Sequence, residues 1–331
     1  MIPTPQRQAA NRRWSAVLAA MAAATIAAVG FTVRLGPVAE GVGIGLALIV
    51  AAAMYHYGTR VMRRRRAVLR RGLDPHITDI LQRRVSYYRG LGDAGKQRFD
   101  ALAAIFLDET AVTGAGCEID DETRALVAAS AVIPIMGFPD WEYATLREVL
   151  VRPDEFVAPA ADGQGDSDPL LGMVASAGGA FHGTLILSRE DLEAGFARPG
   201  QMHVGIHEFA HLIDEGDGAI DGIPAWLPRQ LFRDWLRLVR RQLDAGRPRR
   251  RGHSFEDPGH EESPLAAADE ARREDREDWS DMPAYAFTNE QEFFAVSAEY
   301  FFQAPRRLAA RHPKLYDILR QTFRQDPAAR Q

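Results

Sequence analysis

Two long apolar runs, separated by a short polar connector, stand out near the start of the chain. Trp14 to Val33 is 20 residues without a charge, and Gly41 to Thr59 is 19 more. Each run is long enough to cross the hydrocarbon core of a bilayer as a helix. Because the connector, Arg34 to Glu40, is short, we expect two antiparallel transmembrane helices that contact the lipid bilayer through residues 14–33 and 41–59. A cleaved signal peptide over residues 12–33 is the alternative, and the second apolar run argues against it.

Basic residues flank the predicted hairpin on one side. Residues 1–72 carry eleven arginines and one acid, Glu40, and only Arg34 of these arginines lies in the connector. The positive-inside rule therefore places both ends of the hairpin, and the domain that follows, on the cytoplasmic side of the inner membrane. The arginines after the second run could also bind anionic lipid, although a topology signal explains them as well. The remaining residues hold 29 basic and 44 acidic side chains, which argues against a nucleic-acid partner.

Residues 73–331 have the apolar spacing of one mixed domain. Spacing typical of helices covers Lys96–Leu107, Asp121–Ile135, Gln201–Ile213 and Leu231–Leu243, strand patterns cover Phe156–Pro159 and Thr184–Ser188, and Ala161–Asp168 has the composition of a loop. Asp120 or Asp121 offers an N-cap for the helix that starts there, and Pro134 is expected to end it.

The segment Arg247 to Asp281 breaks this pattern. It opens with Pro-Arg-Arg-Arg and continues as an acidic stretch with few aliphatic residues, a composition that cannot bury a core. We predict a mobile surface loop over residues 247–281. It acts either as a regulatory lid or as an insertion without a function.

One motif carries clear chemistry: His-Glu-x-x-His, formed by His207, Glu208 and His211. On a helix the two histidines lie on one face, where neutral imidazoles can bind one Zn²⁺ while the glutamate reaches the bound water. A core helix with two satisfied histidines is the alternative. The strand Thr184–Ser188 precedes the motif, and zinc peptidases hold extended substrates on an edge strand beside the zinc helix. The single cysteine, Cys117, excludes a disulfide within the chain and a cysteine-based zinc site.

A catalytic zinc site needs a third protein ligand. His203 shares the helix face with the motif, but imidazoles at i, i+4 and i+8 would spread over about 12 Å of helix, whereas Zn–N bonds are about 2 Å. Asp214 lies too far along the axis for the same reason, and it suits a place behind an imidazole. His182 is a further candidate for the third ligand, and so are acids further along the chain.

A second helix is predicted after Thr288 or Asn289, either of which could cap it. Glu292 and Glu299 share one stripe of this helix, seven residues apart, among apolar neighbours. One of them as a metal ligand, with the other hydrogen-bonded to a histidine, would explain both acids. A solvated helix face is the alternative.

These residues resemble a known family. His207 to Asp214, followed by Gly216 to Pro224, is similar to the Mlc titration factor A family of zinc peptidases, as are the helices around Phe99–Leu107 and Thr123–Ile135, the Trp141 region, Leu185–Leu192 and Glu292–Phe302. The resemblance covers roughly residues 75–323. The hairpin is not part of the family pattern, and the 247–281 stretch is longer than the usual connection.

The resemblance implies an α+β, zincin-like domain, mostly helical with a small sheet, here preceded by the two-helix hairpin. It implies Zn²⁺ held by His207, His211 and Glu292, with Glu208 as the general base. The segment that starts at Tyr285 also resembles the anthrax lethal factor peptidase domain, where a tyrosine seven residues before the ligand glutamate helps stabilise the oxyanion. The family is associated with aminopeptidase-like activity and with binding a cytoplasmic sugar-responsive repressor.

We therefore predict a hairpin anchor over residues 1–72 and a zinc peptidase domain over residues 73–331. The first hypothesis is a membrane-anchored enzyme that hydrolyses peptide or protein substrates with zinc-activated water and Glu208. The second is a binding module, in which the same scaffold sequesters a cytoplasmic transcriptional regulator at the membrane. The intact set of ligands and base favours the enzyme, because a scaffold has no need of Glu208.

Overall fold

The computed structural model describes residues 2–3, 5–33, 37–153, 172–174, 183–198, 200, 202–224, 226–246 and 279–330. The chain divides into two compact units, Met1–Asp74 with Asp100–Asp108, and Pro75–Phe99 with Glu109–Gln331. The helices are α1 (Pro5–Val33), α2 (Pro37–Arg71), α3 (Pro75–Arg84), α4 (Ser86–Arg89), α5 (Asp93–Glu109), α6 (Asp121–Ile135), α7 (Arg189–Ala197), α8 (Val204–Asp214), α9 (Phe232–Gly246), α10 (Glu290–Gln303), α11 (Pro305–Arg311) and α12 (Pro313–Phe323). The strands are β1 (Ala111–Gly114), β2 (Glu148–Arg152), β3 (Gly172–Val174) and β4 (Thr184–Ser188).

The first unit contains an antiparallel helical hairpin. The side-chain amide of Asn11 in α1 donates to the carbonyl oxygen of Gly58 in α2 at 3.2 Å, so the start of α1 lies beside the middle of α2. Both helices are longer than the charge-free runs that predicted them. The expected connector is shorter than predicted, because residues 37–40 already belong to α2, while residues 34–36 lie outside the described part.

The surface of this hairpin is apolar. Of the fifteen large hydrophobic side chains that are exposed in the described residues, thirteen lie between positions 14 and 61. Soluble domains rarely expose apolar patches of this extent. Among the described residues, Gly41–Arg71 is the helix that is long and apolar enough to cross a membrane, judged by length and composition alone. The first predicted span, Trp14–Val33, is helical but does not meet that test within the described residues.

The second unit contains a small sheet with strand order β1-β2-β4-β3. The first three strands are parallel and β3 runs antiparallel to β4. Strand β4 is buried on both faces, as parallel strands usually are. Strand β2 buries one face, on which Val149 and Val151 are inaccessible to solvent. Because β4 has a neighbour on each side, the expectation that Thr184–Ser188 is the substrate-binding edge is wrong. Among the described strands, β3 is the edge on that side.

Helix α8 packs against α6 at very short range. A Cβ atom at Gly205 would overlap the hydroxyl oxygen of Ser130, so only glycine allows this approach. Helix α6 is almost entirely buried, as expected for a helix composed largely of alanine, valine and isoleucine. Its N-cap is Asp120, whose carboxylate accepts the backbone N–H of Thr123 at 2.8 Å. The core of the unit therefore holds α8 rigidly on one side.

Most of the predicted elements are confirmed. Helices α5, α6 and α9 and strand β4 lie where the spacing placed them, and α10 begins directly after its cap, Asn289. Pro134 lies within the last turn of α6, one residue before its end. The predicted strand at 156–159 and the loop at 161–168 lie outside the described residues, as does most of the predicted 247–281 loop. Of its last residues, Trp279 and Asp281 are packed into the domain, where both contact His312.

Candidate metal centre

Helix α8 begins three residues later than predicted because a histidine caps it. The Nδ1 atom of His203 accepts the backbone N–H of Ile206 at 3.3 Å, and its ring lies edge-on to Phe196. Burial lowers the pKa of His203 to about 3, so the ring stays neutral and can act as an acceptor. His203 thus positions the helix, in agreement with its exclusion as a ligand on axial distance.

Helix α10 brings the downstream acids to α8. Asn289 caps it by accepting the backbone N–H of Glu292 at 2.8 Å, which fixes Glu292 in the first turn. The apolar face of α10 is buried, including Phe293, Val296 and Phe301. This packing directs Glu292 toward the histidines of α8.

His207, His211 and Glu292 converge on one point. The Nε2 atoms of the two histidines are 3.2 Å apart, and the Glu292 carboxylate lies 3.2 Å from Nε2 of His207 and 3.6 Å from Nε2 of His211. One ligand atom from each residue lies within 4.8 Å of the others. Two imidazole nitrogens and a carboxylate oxygen arranged in this way form a donor set that suits a divalent cation such as zinc.

Glu299 supports this group from behind. Its Oε2 atom lies 3.5 Å from Nδ1 of His207, while Oε1 accepts the backbone N–H of His203 at 2.8 Å. A carboxylate at Nδ1 leaves Nε2 directed toward the other donors, as in carboxylate–histidine–metal arrangements. Of the two acids that share the α10 stripe, Glu292 therefore lies at the centre and Glu299 one layer behind it.

The electrostatics of the centre favour a positive charge. Burial alone would lower the pKa of His207, but the carboxylates of Glu292 and Glu299 raise it to about 10. Burial would raise the pKa of Glu292, yet His207 keeps it below its ordinary value. Burial and the neighbouring His207 charge together lower the pKa of His211 to about 4, against the opposing charge of Glu292. A cation is thus stabilised where the Nε2 atoms and the carboxylate meet, so the residues fit a metal ion.

Glu208 and Tyr285 lie beside the group formed by His207, His211 and Glu292. Glu208 is 5 % exposed, and burial, together with the charges of Glu292 and Glu299, raises its pKa to about 7 against the opposing charge of His207. The Tyr285 ring lies 5.9 Å from the His207 ring, and its hydroxyl donates to the sulfur of Met202 at 3.1 Å. Burial and the nearby carboxylates raise the pKa of Tyr285, so its hydroxyl stays protonated.

Asp214 holds the turn that follows α8. Its carboxylate accepts the backbone N–H of Gly222 at 2.8 Å, which fixes this turn against the end of the helix. Gly222 has a φ of 75°, and a Cβ atom there would overlap the backbone of Glu290 at the start of α10. Trp235 closes the turn by donating to the Gly222 carbonyl at 2.8 Å. His182, the other candidate ligand, lies outside the described residues.

A buried polar cluster that the sequence did not suggest precedes Tyr285. The carboxylate of Asp281 lies 2.9 Å from Nε2 of His312, accepts the Tyr300 hydroxyl and lies 3.2 Å from Nε of Arg311. Trp279 stacks on the His312 ring with 4.0 Å between centroids. The cluster fixes the segment that leads into Tyr285. No local pattern signals it, because its members come from three separate stretches of the chain.

A His-Glu-x-x-His helix faced by a carboxylate from a later helix is the arrangement of metallopeptidases. The chain belongs to the glucose-regulated metallo-peptidase M90 family, whose profile matches residues 59–324. The match contains all the residues of the centre and starts at the last residue of the second apolar run.

Relatives include proteins named for titration of Mlc. Mlc titration factor A of Salmonella gallinarum is 31 % identical over 242 residues, which cover 70 % of this chain and 80 % of the relative. Mlc titration factor A of Pectobacterium atrosepticum is 28 % identical over 244 residues, covering 72 % and 83 %. The uncharacterized protein slr2042 of Synechocystis sp. is 27 % identical over 278 residues, covering 80 % and 89 %. The family resemblance read from the sequence is thereby confirmed.

Proposed function

We propose that this protein is a membrane-anchored zinc peptidase that hydrolyses peptide bonds on the cytoplasmic side. The observation that carries the proposal is the convergence of His207, His211 and Glu292 within 4.8 Å, with Glu208 buried beside them. Membership of a metallopeptidase family implies a metal, and two imidazoles with one carboxylate are a ligand set that catalytic zinc sites use. Zinc bound there supplies Lewis acidity toward water and the peptide carbonyl.

Glu208 is the proton carrier in this mechanism. A carboxylate whose pKa lies near 7 can accept a proton from the attacking water and return it to the leaving amine at neutral pH. Because Glu208 is buried, its pKa stays above the ordinary value of a carboxyl in water. The other two acids that the described residues bring to the centre do not suit the role, because Glu292 contacts both histidines and Glu299 is held by His203 and His207.

Tyr285 is proposed to donate a hydrogen bond to the developing oxyanion. Its hydroxyl is protonated and lies at the rim of the centre, where Met202 is its partner. A thioether is a weak acceptor, so an oxyanion would replace it readily. An extended substrate would pair with β3, the described edge strand near α8, by backbone hydrogen bonds. Aminopeptidase-like specificity is a further part of the proposal that follows from the resemblance alone.

The membrane part of the proposal rests on the hairpin. Support comes from the apolar exposed surface of α1 and α2, the spanning length of Gly41–Arg71 and the arginines at one end. Because α1 and α2 are antiparallel, these arginines lie at the same end and direct it to the cytoplasm.

The decisive experiment compares Glu208→Gln with the wild type in a peptide-library digest and in metal analysis of the purified full chain. We expect one zinc per chain in both proteins and a turnover lower by about 10²–10⁴-fold in the variant. Glu190→Gln, an exposed acid on α7, is the matched control and should behave as the wild type. Unchanged hydrolysis by Glu208→Gln would refute the mechanism.

A second function is favoured by the relatives named Mlc titration factor A. In this alternative the chain holds a cytoplasmic transcriptional regulator at the membrane, and hydrolysis is incidental. Pull-downs with Glu208→Gln and His207→Ala separate the two functions. A partner that binds both variants equally, with no defect in cells from either, supports the binding protein over the enzyme.

A further inference from the structure

A cavity lies within the first unit, between the beginning of α1 and the second half of α2. Its volume is about 270 Å³. The lining residues are Gln8, Asn11, Arg12, Tyr55, Thr59, Met62, Arg63 and Arg66. Three of these eight residues are arginines and none is acidic, so the cavity concentrates positive charge between two helices.

The walls of the cavity are held by hydrogen bonds within the hairpin. Asn11 donates to the Gly58 carbonyl at 3.2 Å, and the Thr59 hydroxyl donates to the Tyr55 carbonyl at 2.8 Å. Arg63 donates through Nη2 to the His56 carbonyl at 2.9 Å. This bond orients its guanidinium and leaves other N–H groups of the fork available, because an arginine has five donors.

Two other arginines of α2 lie close to an acidic side chain. Nε of Arg64 lies 2.6 Å from the carboxylate of Asp108, and Arg71 lies 3.8 Å from it. The lining of the cavity offers Arg12, Arg63 and Arg66 no such carboxylate. Three arginines that line one space repel each other unless an anion lies among them. The oxygens of a phosphate group match the fork of donors that each guanidinium presents.

The cavity lies where a headgroup layer would be if the hairpin is anchored. Thr59 ends the second apolar run and also lines the cavity. Trp14 and Tyr57 are 68 % and 64 % exposed near the same level, and Arg60 lies over the Tyr57 ring at 3.9 Å. Exposed aromatic rings next to arginines are typical of the interface between hydrocarbon and water.

We infer that this cavity binds the phosphate group of an anionic phospholipid headgroup. The inference rests on the proposed membrane anchorage but not on the peptidase mechanism. Basic pockets between membrane helices on the cytoplasmic side recognise such headgroups. Inorganic phosphate shares the chemistry and is the other possible source of the anion, although it lacks the acyl chains that would lie along the exposed apolar side chains of the hairpin.

The test uses the full chain in detergent and counts retained lipids by native mass spectrometry. Equal amounts of dioleoylphosphatidylglycerol and dioleoylphosphatidylcholine are supplied, with and without inorganic phosphate. The site variant is Arg12→Gln, Arg63→Gln and Arg66→Gln combined. The charge-matched control combines Arg13→Gln, Arg60→Gln and Arg70→Gln, which are exposed on the same helices but do not line the cavity. Helical circular dichroism checks that both variants fold.

We expect the wild type and the control to prefer phosphatidylglycerol by about tenfold or more. The site variant should lose that preference, because only it removes the arginines that line the cavity. If both variants lost the preference for phosphatidylglycerol equally, the effect would be one of total charge, and the inference would be overturned. An undiminished preference in the site variant, or displacement of the lipid by inorganic phosphate, would also overturn it. Failure to retain any lipid would count against the anchorage as well, whereas equal retention of both lipids counts only against the site.

Discussion

The carboxylate of Glu299 connects the two ends of the first turn of α8: one oxygen lies 3.5 Å from Nδ1 of His207, and the other accepts the backbone N–H of His203. Glu299 is therefore a positioning residue that sets the direction of the His207 ring and the start of the helix together.

The substitution Glu299→Gln should weaken zinc binding by about 10–100-fold, the range seen when partners behind metal ligands are changed. The amide keeps an acceptor for the His203 N–H, so the helix start is preserved while the charge behind His207 is lost. Competition with a chromogenic chelator measures the affinity. Glu290→Gln, an exposed acid on the first turn of the same helix, is the control, and equal affinities in all three proteins would contradict the assignment.

Tyr285→Phe should lower turnover by about 10²-fold or more while zinc content stays at one per chain, because a hydrogen bond made only to the oxyanion acts on the transition state. Single-turnover kinetics on a peptide substrate, with metal analysis of the same samples, is the measurement. If turnover is unchanged, the hydroxyl has no part in the reaction, and its hydrogen bond to Met202 has a structural role.

Gly205→Ala should destabilise the domain. The added methyl group would overlap Ser130 and also contact Leu192, and overpacking of this kind costs about 1–3 kcal/mol. Urea unfolding followed by circular dichroism gives the free energy of unfolding. Gly92→Ala has open space around the new methyl group and serves as the control. A stability of Gly205→Ala within error of Gly92→Ala would mean that α6 and α8 are less tightly packed than described.

Asp281 should make the free energy of unfolding depend on pH in the acidic range. Burial would raise its pKa, but hydrogen bonds from Tyr300 and His312 and the charge of Arg311 keep it below the ordinary value of 3.8. A depressed pKa gives stability that is complete above the unfolded-state pKa and is lost as the pH falls through the folded-state value. Asp281→Asn should cost about 1–3 kcal/mol at pH 7, and its difference from the wild type should shrink below about pH 4. Unfolding at several pH values tests this, and a constant difference would contradict it.

The sequence predicted the centre in part. His207, Glu208 and His211 follow from helical spacing, and the pairing of Glu292 with Glu299 follows from their common stripe on α10. Spacing could not decide which acid lies at the centre, because seven residues separate them by about 10.5 Å along one face. The contact between helices decides it: Glu292 lies opposite both Nε2 atoms and Glu299 opposite Nδ1.

Other features are not visible in local patterns. Strands β1 and β3 have four and three residues, too short for a period to show. Strand β2 has five residues, two of them valines at alternate positions, and is a strand that the spacing did not predict. The ring of His203 caps α8 in place of the usual serine, threonine or aspartate, so the predicted start was three residues early. Asp281 seemed part of a polar loop by composition, yet its partners on α10 and beyond make it part of the core.

The turn after α8 has a consequence for how the metal centre can vary. Asp214 holds Gly222 at the end of the helix that carries His207 and His211. The missing side chain of Gly222 lets Glu290, the first residue of the helix that carries Glu292, lie against it. The separation between the proposed ligands of the two helices thus depends on a backbone torsion at a residue with no side chain. Metal affinity can be lost there while every ligand is intact, so counting ligands alone cannot tell a working relative from a degenerate one.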